Sequence, residues 1–255
     1  MDRLIFTATS AMDEYRLDRM NLTHELANVS TVGFKRAFEV ANRPVRAEGD
    51  GFDTRFLPRA HTTSVVNMEN GPRMLTGKPL DVAMDGKTVM PVRAENGEVA
   101  WTRRGDLALD PEGFLRTGEG NIVLDDSLSE IQLPVGSFIY EVTQTGRIMI
   151  TDPQNLAEGS QEVAAMGIRD TTDIRMSRRP DGLFRPSDNT EDGFDFESGV
   201  GVASLTPGSL EGSNSNPVHT LVRFIDHARS FEMQTKMIKE MKENDASGAA
   251  MMRLS

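Results

Sequence analysis

The chain has 255 residues, enough for one large domain or two small ones, and a formal net charge of −11 at neutral pH. It has no cysteine, which excludes disulfides, cysteine-based zinc sites and thiol nucleophiles. Residues 1–36 are neutral overall and residues 217–255 carry +1, which leaves −12 for residues 37–216. An acidic middle argues against nucleic-acid binding, for which a basic stripe is expected.

The first 29 residues carry an apolar heptad pattern. Steps of four and three alternate, and eight of these nine positions are apolar: Met1, Ile5, Ala8, Met12, Tyr15, Arg19, Leu22, Leu26 and Val29. Such spacing predicts a helix with a coiled-coil seam, ended by residues 30–33 with Gly33 in a left-handed conformation. Polar residues interrupt the apolar ones, so no cleaved signal peptide is expected. No run of about 18 apolar residues occurs, so no membrane span is predicted.

The middle of the chain changes period. Residues 37–80 show little periodicity and are predicted to be an extended linker, with a possible strand near 62–68. Short alternating runs follow, separated by turn dipeptides, of which Asn96-Gly97 is the strongest hairpin signal. The predicted strands are 82–84, 88–93, 99–103, 107–109, 122–124, 131–133, 138–142 and 147–150. Together they indicate a β domain, an irregular barrel or sandwich.

A second helix is predicted after Asn216, a good N-cap, and Pro217, which suits the first helical position. This helix has apolar residues on more than one side. One stripe at helical spacing comprises Leu221, Phe224, Ala228, Phe231 and Ile238. A second comprises Met233, Met237 and Met241. The first stripe is predicted to pair with residues 1–29, which leaves the methionine side for other subunits.

The predicted fold class is therefore α+β, mainly β, with paired terminal helices in a coiled-coil-like arrangement and a central irregular all-β domain. The predicted regions are 1–36, the N-terminal helix; 37–80, the linker; 81–205, the outer β domain; and 206–255, a return linker with the C-terminal helix. Apolar side chains left over on both helices would form a large adhesive surface. Assembly with neighbouring subunits is the expected reason for them.

No catalytic, metal or cofactor site is predicted. The four histidines, His24, His61, His219 and His227, form no metal-ligand pattern. No Gly-x-Ser-x-Gly turn supports a catalytic triad. The acidic stretch 188–199 lacks two of the oxygen ligands that a calcium loop requires. An enzyme or a carbohydrate-binding module built on the β middle remains the alternative, and it leaves the apolar termini unexplained.

Four ordered segments resemble the flagellar rod and hook proteins: LANVSTVGFKR at 26–36, LTGKPLDVAMDG at 75–86, WTRRGDLALDPEGFLRTGEG at 101–120 and LEGSNSNPVHTLVRFIDHARSFEMQTKMI at 210–238. The match covers nearly the whole chain. The specific signatures are Asn-x4-Gly-Phe-Lys, Thr-Arg-x-Gly-Asp and Leu-Glu-x-Ser-Asn. Both ends of the chain are similar to proximal-rod members, with a distal-rod or hook-type axial protein as the alternative.

The resemblance implies a structural, non-enzymatic subunit of the bacterial flagellar basal body. It implies export through the flagellar type III apparatus without a cleaved signal, a periplasmic position in the rod, and helical assembly with copies of itself and with other rod subunits into a tube that transmits torque. It also places Asn28, Gly33 and Phe34 in the turn after the first helix. The expected assembly interface comprises these three residues and Met1, Ile5, Ala8, Met12, Tyr15, Leu22, Leu26, Leu221, Phe224, Ile225, Ala228, Phe231, Met233, Met237, Ile238 and Met241.

Overall fold

The computed structural model describes residues 2–37, 43–46, 56–59, 65–155, 159–187 and 195–253. Two helices occur in this described part, α1 (Asp2–Ala27) near the beginning of the chain and α2 (Pro217–Arg253) near its end. The chain divides into two compact units. Unit 1 comprises Met1–Ala27, Glu39–Thr63 and Asn216–Ser255, and unit 2 comprises Asn28–Phe38 and Ser64–Ser215.

The strands are short and nearly all belong to unit 2. They are β1 (Arg43–Arg46), β2 (Phe56–Arg59), β3 (Arg73–Leu75), β4 (Val82–Met84), β5 (Thr88–Arg93), β6 (Val99–Thr102), β7 (Leu107–Leu109), β8 (Leu115–Thr117), β9 (Ile122–Val123), β10 (Ile139–Val142), β11 (Arg147–Thr151), β12 (Gln161–Ala165), β13 (Arg169–Asp170), β14 (Met176–Arg178), β15 (Phe184–Pro186), β16 (Leu205–Pro207) and β17 (Ser209–Glu211).

The largest sheet of unit 2 has the order β14-β15-β6-β5-β9-β8-β7, with β13 paired to β5. A three-stranded sheet, β10-β11-β12, and the pairs β16-β4 and β17-β3 complete the unit. All of these pairings are antiparallel, which short turns between neighbouring strands allow. The two pairs join residues near 73–84 to residues 205–211, so the last two strands of unit 2 pair with strands near its beginning.

Unit 2 holds two apolar clusters. The larger includes Met84, Leu115 and Ile148, each almost fully buried. The smaller surrounds Trp101, the only tryptophan, with Val66, Met176 and Phe184. Burial of each such side chain stabilises the fold by roughly 1.5–3 kcal/mol. The predicted β character of the middle is confirmed, and unit 2 has an apolar core of its own.

Most predicted strands are confirmed, because their alternation and turn residues are local signals. The Asn96-Gly97 hairpin joins β5 to β6, with Gly97 at φ +84°. The run 131–133 forms only an isolated bridge between Gln132 and Phe114. Of the possible strand at 62–68, Val65 and Val66 form bridges, and 62–64 lie outside the described residues. The predicted linker, 37–80, contains β1, β2 and β3.

Unit 1 contains α1, α2 and the antiparallel pair of β1 with β2. β2 contacts α1, and α1 also contacts α2. The side chain of His227 in α2 donates from Nε2 to the backbone oxygen of Tyr15 in α1, at 2.8 Å. Arg223 near the beginning of α2 lies 3.9 Å from Glu25 near the end of α1, so the two helices run antiparallel.

The predicted coiled-coil-like helix pair is wrong, and the fold is mainly β with one helix near each end of the chain. A coiled coil needs apolar side chains on both facing seams. The less exposed side of α2 is instead largely polar, and it comprises Thr220, Arg223, Phe224, His227, Ser230, Gln234, Ile238 and Met241. α2 has 37 residues against 26 in α1, and α1 also contacts a β strand. None of the described helices is long and apolar enough to cross a membrane.

Candidate assembly surface and a buried ionic cluster

The start of α2 follows from its first residues, as the sequence predicts. The Oδ1 atom of Asn216 accepts hydrogen bonds from the backbone N–H groups of Val218 and His219, at 3.0 and 3.2 Å. These are two of the four N–H groups that the first turn of a helix leaves without partners. Pro217 occupies the first helical position, where its missing N–H costs nothing.

The outward side of α2 carries six exposed apolar side chains among charged ones, and we call these six the exposed apolar face. Its members are Val218, Leu221, Val222, Ile225, Met233 and Met237. At 3.6 residues per turn their side chains project within about 160° of arc. Each is between 46% and 69% exposed. The exposed apolar face therefore lies opposite the less exposed, largely polar side. Arg229, Glu232, Lys236 and Glu240 project within the same arc, so the outward side mixes apolar and charged side chains.

The predicted interface residues of α2 divide between the two sides. Leu221, Ile225, Ala228, Phe231, Met233 and Met237 are exposed, whereas Phe224, Ile238 and Met241 are half-buried. The first predicted stripe is thus only partly buried, because three of its five side chains are exposed to solvent. The methionine stripe is open at two of its three positions.

The predicted interface residues of the N-terminal region are mostly covered. Met12, Tyr15, Leu26 and Asn28 are half-buried, and Leu22, Gly33 and Phe34 are buried. Met1 lies outside the described residues. Ile5 and Ala8 lie on α1, and their side chains are also outside the described part. The interface role of all these residues stays a prediction.

Three charged side chains meet inside unit 2, and we call Lys35, Arg103 and Glu211 the ionic cluster. Lys35 Nζ lies 2.7 Å from Glu211 Oε1, and Arg103 Nε lies 2.8 Å from Glu211 Oε2. Exposure is 0% for both cations and 3% for the carboxylate. Charges this deep are tolerated only when they are paired and hydrogen-bonded.

Arg103 uses its whole donor capacity within the protein. Its guanidinium donates to Glu211 and to four further oxygens at 2.8–2.9 Å. These are Oδ1 of Asn70 and the backbone carbonyl oxygens of Met84, Gly86 and Thr88. A guanidinium has five N–H donors, and five acceptors surround this one. Arg103 thereby fixes the turn between β4 and β5 to the chain segments on either side of it.

The pKa of Lys35 is lowered from 10.5 to about 8, mainly by burial and also by the neighbouring positive charge of Arg103, against the opposing attraction of Glu211. Burial also lowers the pKa of Arg103, again against Glu211. One carboxylate thus serves two buried cations. The second oxygen contact on Lys35 comes from the backbone carbonyl of Glu69, at 2.6 Å.

Backbone contacts beside the ionic cluster join residues 33–36 to residues 211–214. Gly33 N donates to Glu211 O at 2.8 Å, and Arg36 N donates to Asn214 Oδ1 at 2.7 Å. Gly33 has φ +69°, and a Cβ there would lie 2.5 Å from the backbone oxygen of Arg103. The guanidinium of Arg178 stacks over the ring of Phe34, 4.6 Å from its centroid. The segment that follows α1 and the segment that precedes α2 are therefore one packed structure inside unit 2.

Sequence reasoning missed the ionic cluster, although each member lies in a quoted signature. Lys35 ends Gly-Phe-Lys, Arg103 is in Thr-Arg-x-Gly-Asp, and Glu211 is in Leu-Glu-x-Ser-Asn. A buried charge has no periodic signal of its own. The signal that could have indicated the cluster was the presence of oppositely charged residues in three separate signatures. No group of three or more His, Asp or Glu side chains suited to a metal occurs in the described ranges.

Two family models match the chain. Residues 206–251 match "Flagellar basal body rod FlgEFG protein C-terminal", and residues 83–150 match "Flagellar hook protein FlgE/F/G D1 domain". The chain is 31% identical to the flagellar basal-body rod protein FlgF of Salmonella typhimurium over 260 residues, and 31% identical to FlgF of Escherichia coli over 257 residues, with 100% of both chains covered in each case. It is 23% identical to the rod protein FlgG of Bacillus subtilis, which covers 95% of this chain and 96% of the relative.

A two-helix, mainly β architecture with these full-length relatives defines a rod-type axial protein. The chain belongs to the family of flagellar basal-body rod proteins, and its full-length relatives at 31% identity are FlgF proteins. The resemblance drawn from its signatures is confirmed, as is its function as a structural subunit of the basal-body rod. The matched ranges include β4–β11 of unit 2 and nearly all of α2.

Proposed function

We propose that this rod subunit assembles with copies of itself and with other rod subunits by burying the exposed apolar face of α2. Val218, Leu221, Val222 and Ile225 lie within about two helical turns of one another, and Met233 and Met237 follow further along the same arc. Grouped exposed apolar side chains mark interaction sites more often than single ones do. The observation that carries the proposal is the exposure of the six apolar side chains of the exposed apolar face, while the less exposed side of α2 is mostly polar.

The chemistry of the exposed apolar face fits neighbours of more than one kind. Met233 and Met237 are 64% and 53% exposed. Methionine is unbranched and adapts its shape, so it packs against surfaces that differ in detail. We propose a position in the proximal rod, where neighbours of different sequence meet, because the relatives at 31% identity are FlgF proteins. The rod would then transmit torque through many repeated helix contacts.

The remaining expectations are part of the same proposal. The chain would reach a periplasmic position in the basal body through the flagellar type III export apparatus, without a cleaved signal. Its role would be structural, with no catalysis. The β unit would lie outside the tube that the terminal helices form.

The test is incorporation of Ile225→Asp into rods in a strain that lacks this protein. Ile225 is 51% exposed on the exposed apolar face, so a buried carboxylate there would prevent assembly. Thr235→Asp is the matched control, because Thr235 is exposed on α2 outside that face. We expect no motility and no rod-associated protein for Ile225→Asp, with near-normal levels for Thr235→Asp. Normal incorporation of Ile225→Asp, with unit 2 folded as judged by Trp101 fluorescence, would refute the proposal.

A further inference from the structure

Unit 2 has an exposed edge of its own, residues 72–79, which we call the basic edge. All three residues of β3 are exposed, with Leu75 at 87% and Met74 at 45%. In the described part of the chain β3 pairs only with β17. Thr76 N donates to Gly208 O, and Gly212 N donates to Pro72 O. Because alternate residues of an antiparallel strand bond to opposite sides, Arg73 and Leu75 direct their backbone groups to the unpaired side.

The basic edge discourages pairing with another copy of itself. Arg73 lies 2.6 Å from Asp85, whereas Lys78 has no ion-pair partner among the described residues. Two basic edges brought together would place like charges side by side, which is unfavourable across paired strands. Lysine and short length are also common means of preventing edge-to-edge aggregation. The occupant that fits is an acidic segment with its own exposed apolar residues.

Unit 2 carries such a segment at residues 195–202, which we call the acidic segment. Val200 and Val202 are 85% and 89% exposed. Glu197 is exposed and has no ion-pair partner among the described residues. Asp195 lies 3.3 Å from Arg169. The acidic segment therefore offers one unpaired carboxylate beside two exposed valines, and the basic edge offers one unpaired ammonium beside two exposed apolar side chains.

The acidic segment is held in place by the residues between these groups. Phe196 packs against Trp101, with ring centroids 4.5 Å apart and the ring planes tilted by 55°. Buried Asp170 accepts from Gly199 N through its backbone oxygen and from Gly201 N through Oδ2, both at 2.8 Å. A Cβ on either glycine would lie within 2.7 Å of that carboxylate. A segment that is already ordered loses less entropy when it binds.

We propose that the acidic segment of one copy docks antiparallel on the basic edge of the next, with Glu197 against Lys78 and Val200 against Leu75. Both pairs are three positions apart on their own segments. Because β3 ends at Leu75 and Gly77 has φ +70°, the Lys78–Glu197 pair is a side-chain contact beside the paired strands and not part of their ladder. The contact joins two different surfaces of the same chain. Such head-to-tail contacts build open helical assemblies rather than closed dimers. The inference rests on the proposed rod function and adds a subunit contact outside the helices.

The absence of native cysteine allows a direct test in the full-length chain. Leu75→Cys and Val200→Cys proteins, one carrying a size tag, are mixed at high concentration and oxidised gently. We expect the mixed disulfide at least about fivefold above the control mixture of Val135→Cys with Val200→Cys, since docking raises the effective concentration of the two thiols. Val135 is 60% exposed on unit 2 and lies in neither segment. Equal yields in the two mixtures would overturn the proposal.

Charge exchange tests the register. Lys78→Glu in the Leu75→Cys protein should reduce the mixed disulfide to the control level, and Glu197→Lys in the Val200→Cys protein should restore it. An unchanged yield with Lys78→Glu, or a loss that Glu197→Lys does not restore, contradicts the Lys78–Glu197 contact. If Ile225→Asp blocks rod incorporation while the disulfide stays at the control level, only this inference fails. If Ile225→Asp incorporates normally, the proposed helix interface fails instead.

Discussion

Lys35 and Glu211 are 176 positions apart, and Lys35 Nζ lies 2.7 Å from Glu211 Oε1 with both side chains buried. Arg103 contacts the other oxygen of the same carboxylate. One glutamate therefore joins the segment after α1, the β sheet and the segment before α2 within unit 2. A mostly polar, short-stranded unit gains its closure here from charge and hydrogen bonding as well as from apolar packing.

Removal of the shared carboxylate should destabilise unit 2 strongly. In Glu211→Gln both Lys35 and Arg103 stay buried without a counter-charge, so we expect a loss of about 3 kcal/mol or more in the free energy of unfolding. Urea denaturation followed by Trp101 fluorescence measures it. Glu119→Gln is the control, because Glu119 is 44% exposed beside Arg104 and such a pair contributes less than about 1 kcal/mol. Similar losses for the two variants would contradict the stabilising role of the ionic cluster.

The lowered pKa of Lys35 predicts an unusual dependence on pH. The folded pKa is about 8 and the unfolded pKa is 10.5, so between these values the unfolded chain binds more protons. Stability contributed by this group then rises with pH. The free energy of unfolding of the wild type relative to Lys35→Met should increase by about 2 kcal/mol between pH 7.5 and pH 10. Lys87→Met, at an exposed position, corrects for general alkaline effects. A relative stability that falls over this range would contradict the shift.

Two glycines with nearly the same φ allow the cost of a left-handed backbone to be measured apart from the cost of a steric clash. Gly33 has φ +69° and Gly77 has φ +70°, but a Cβ meets the Arg103 backbone at 2.5 Å only at Gly33, and open space at Gly77. Gly77→Ala should cost only the left-handed conformation, about 1–2 kcal/mol. Gly33→Ala should cost clearly more, because the chain beside Arg103 must also move. Equal denaturation midpoints for the two variants would show that the approach of Gly33 to Arg103 is not rigid.

The hairpin of β10 and β11 has one buried and one outward side. Ile148 is 0% exposed in the larger apolar cluster, and Ile139 on β10 is 55% exposed. Ile148→Ala should lower the free energy of unfolding by about 2–5 kcal/mol, through lost burial and the cavity left behind. Ile139→Ala should change it by less than about 0.5 kcal/mol. Thermal melting of both variants gives the comparison, and a large loss for Ile139→Ala would indicate that β10 packs against another surface.

Local features of the fold were predictable from the sequence. The Asn216 cap, the left-handed Gly33 and the hairpin at Asn96-Gly97 depend on neighbouring residues, and the structure confirms all three. Strands β4, β5, β7 and β11 follow from alternation and turn residues, and β6, β9 and β10 were predicted to within a residue. The other ten strands were not predicted, because their runs are too short or too polar to show alternation. Of the acidic stretch at 188–199, residues 188–194 lie outside the described residues.

The side of α2 that is covered was not predictable. Spacing shows which residues share a face of a helix, but it does not show which face meets a neighbour. The rule that apolar faces are covered predicted that Leu221, Ala228 and Phe231 would pair with α1. The structure leaves all three exposed and places His227 against Tyr15. In the proposed assembly the covering surface would belong to another molecule, which the sequence of one chain does not include.

The sequence by itself determined the family, the β character of the middle and the positions of both helices, since signatures, alternation and caps are properties of neighbouring residues. Only the tertiary structure decided that Lys35, Arg103 and Glu211 form one buried cluster, and that the six side chains of the exposed apolar face are open to solvent. Both depend on contacts between residues far apart in the chain. Burial and pairing of a charge are properties of its surroundings in space, and its position in the sequence does not encode them.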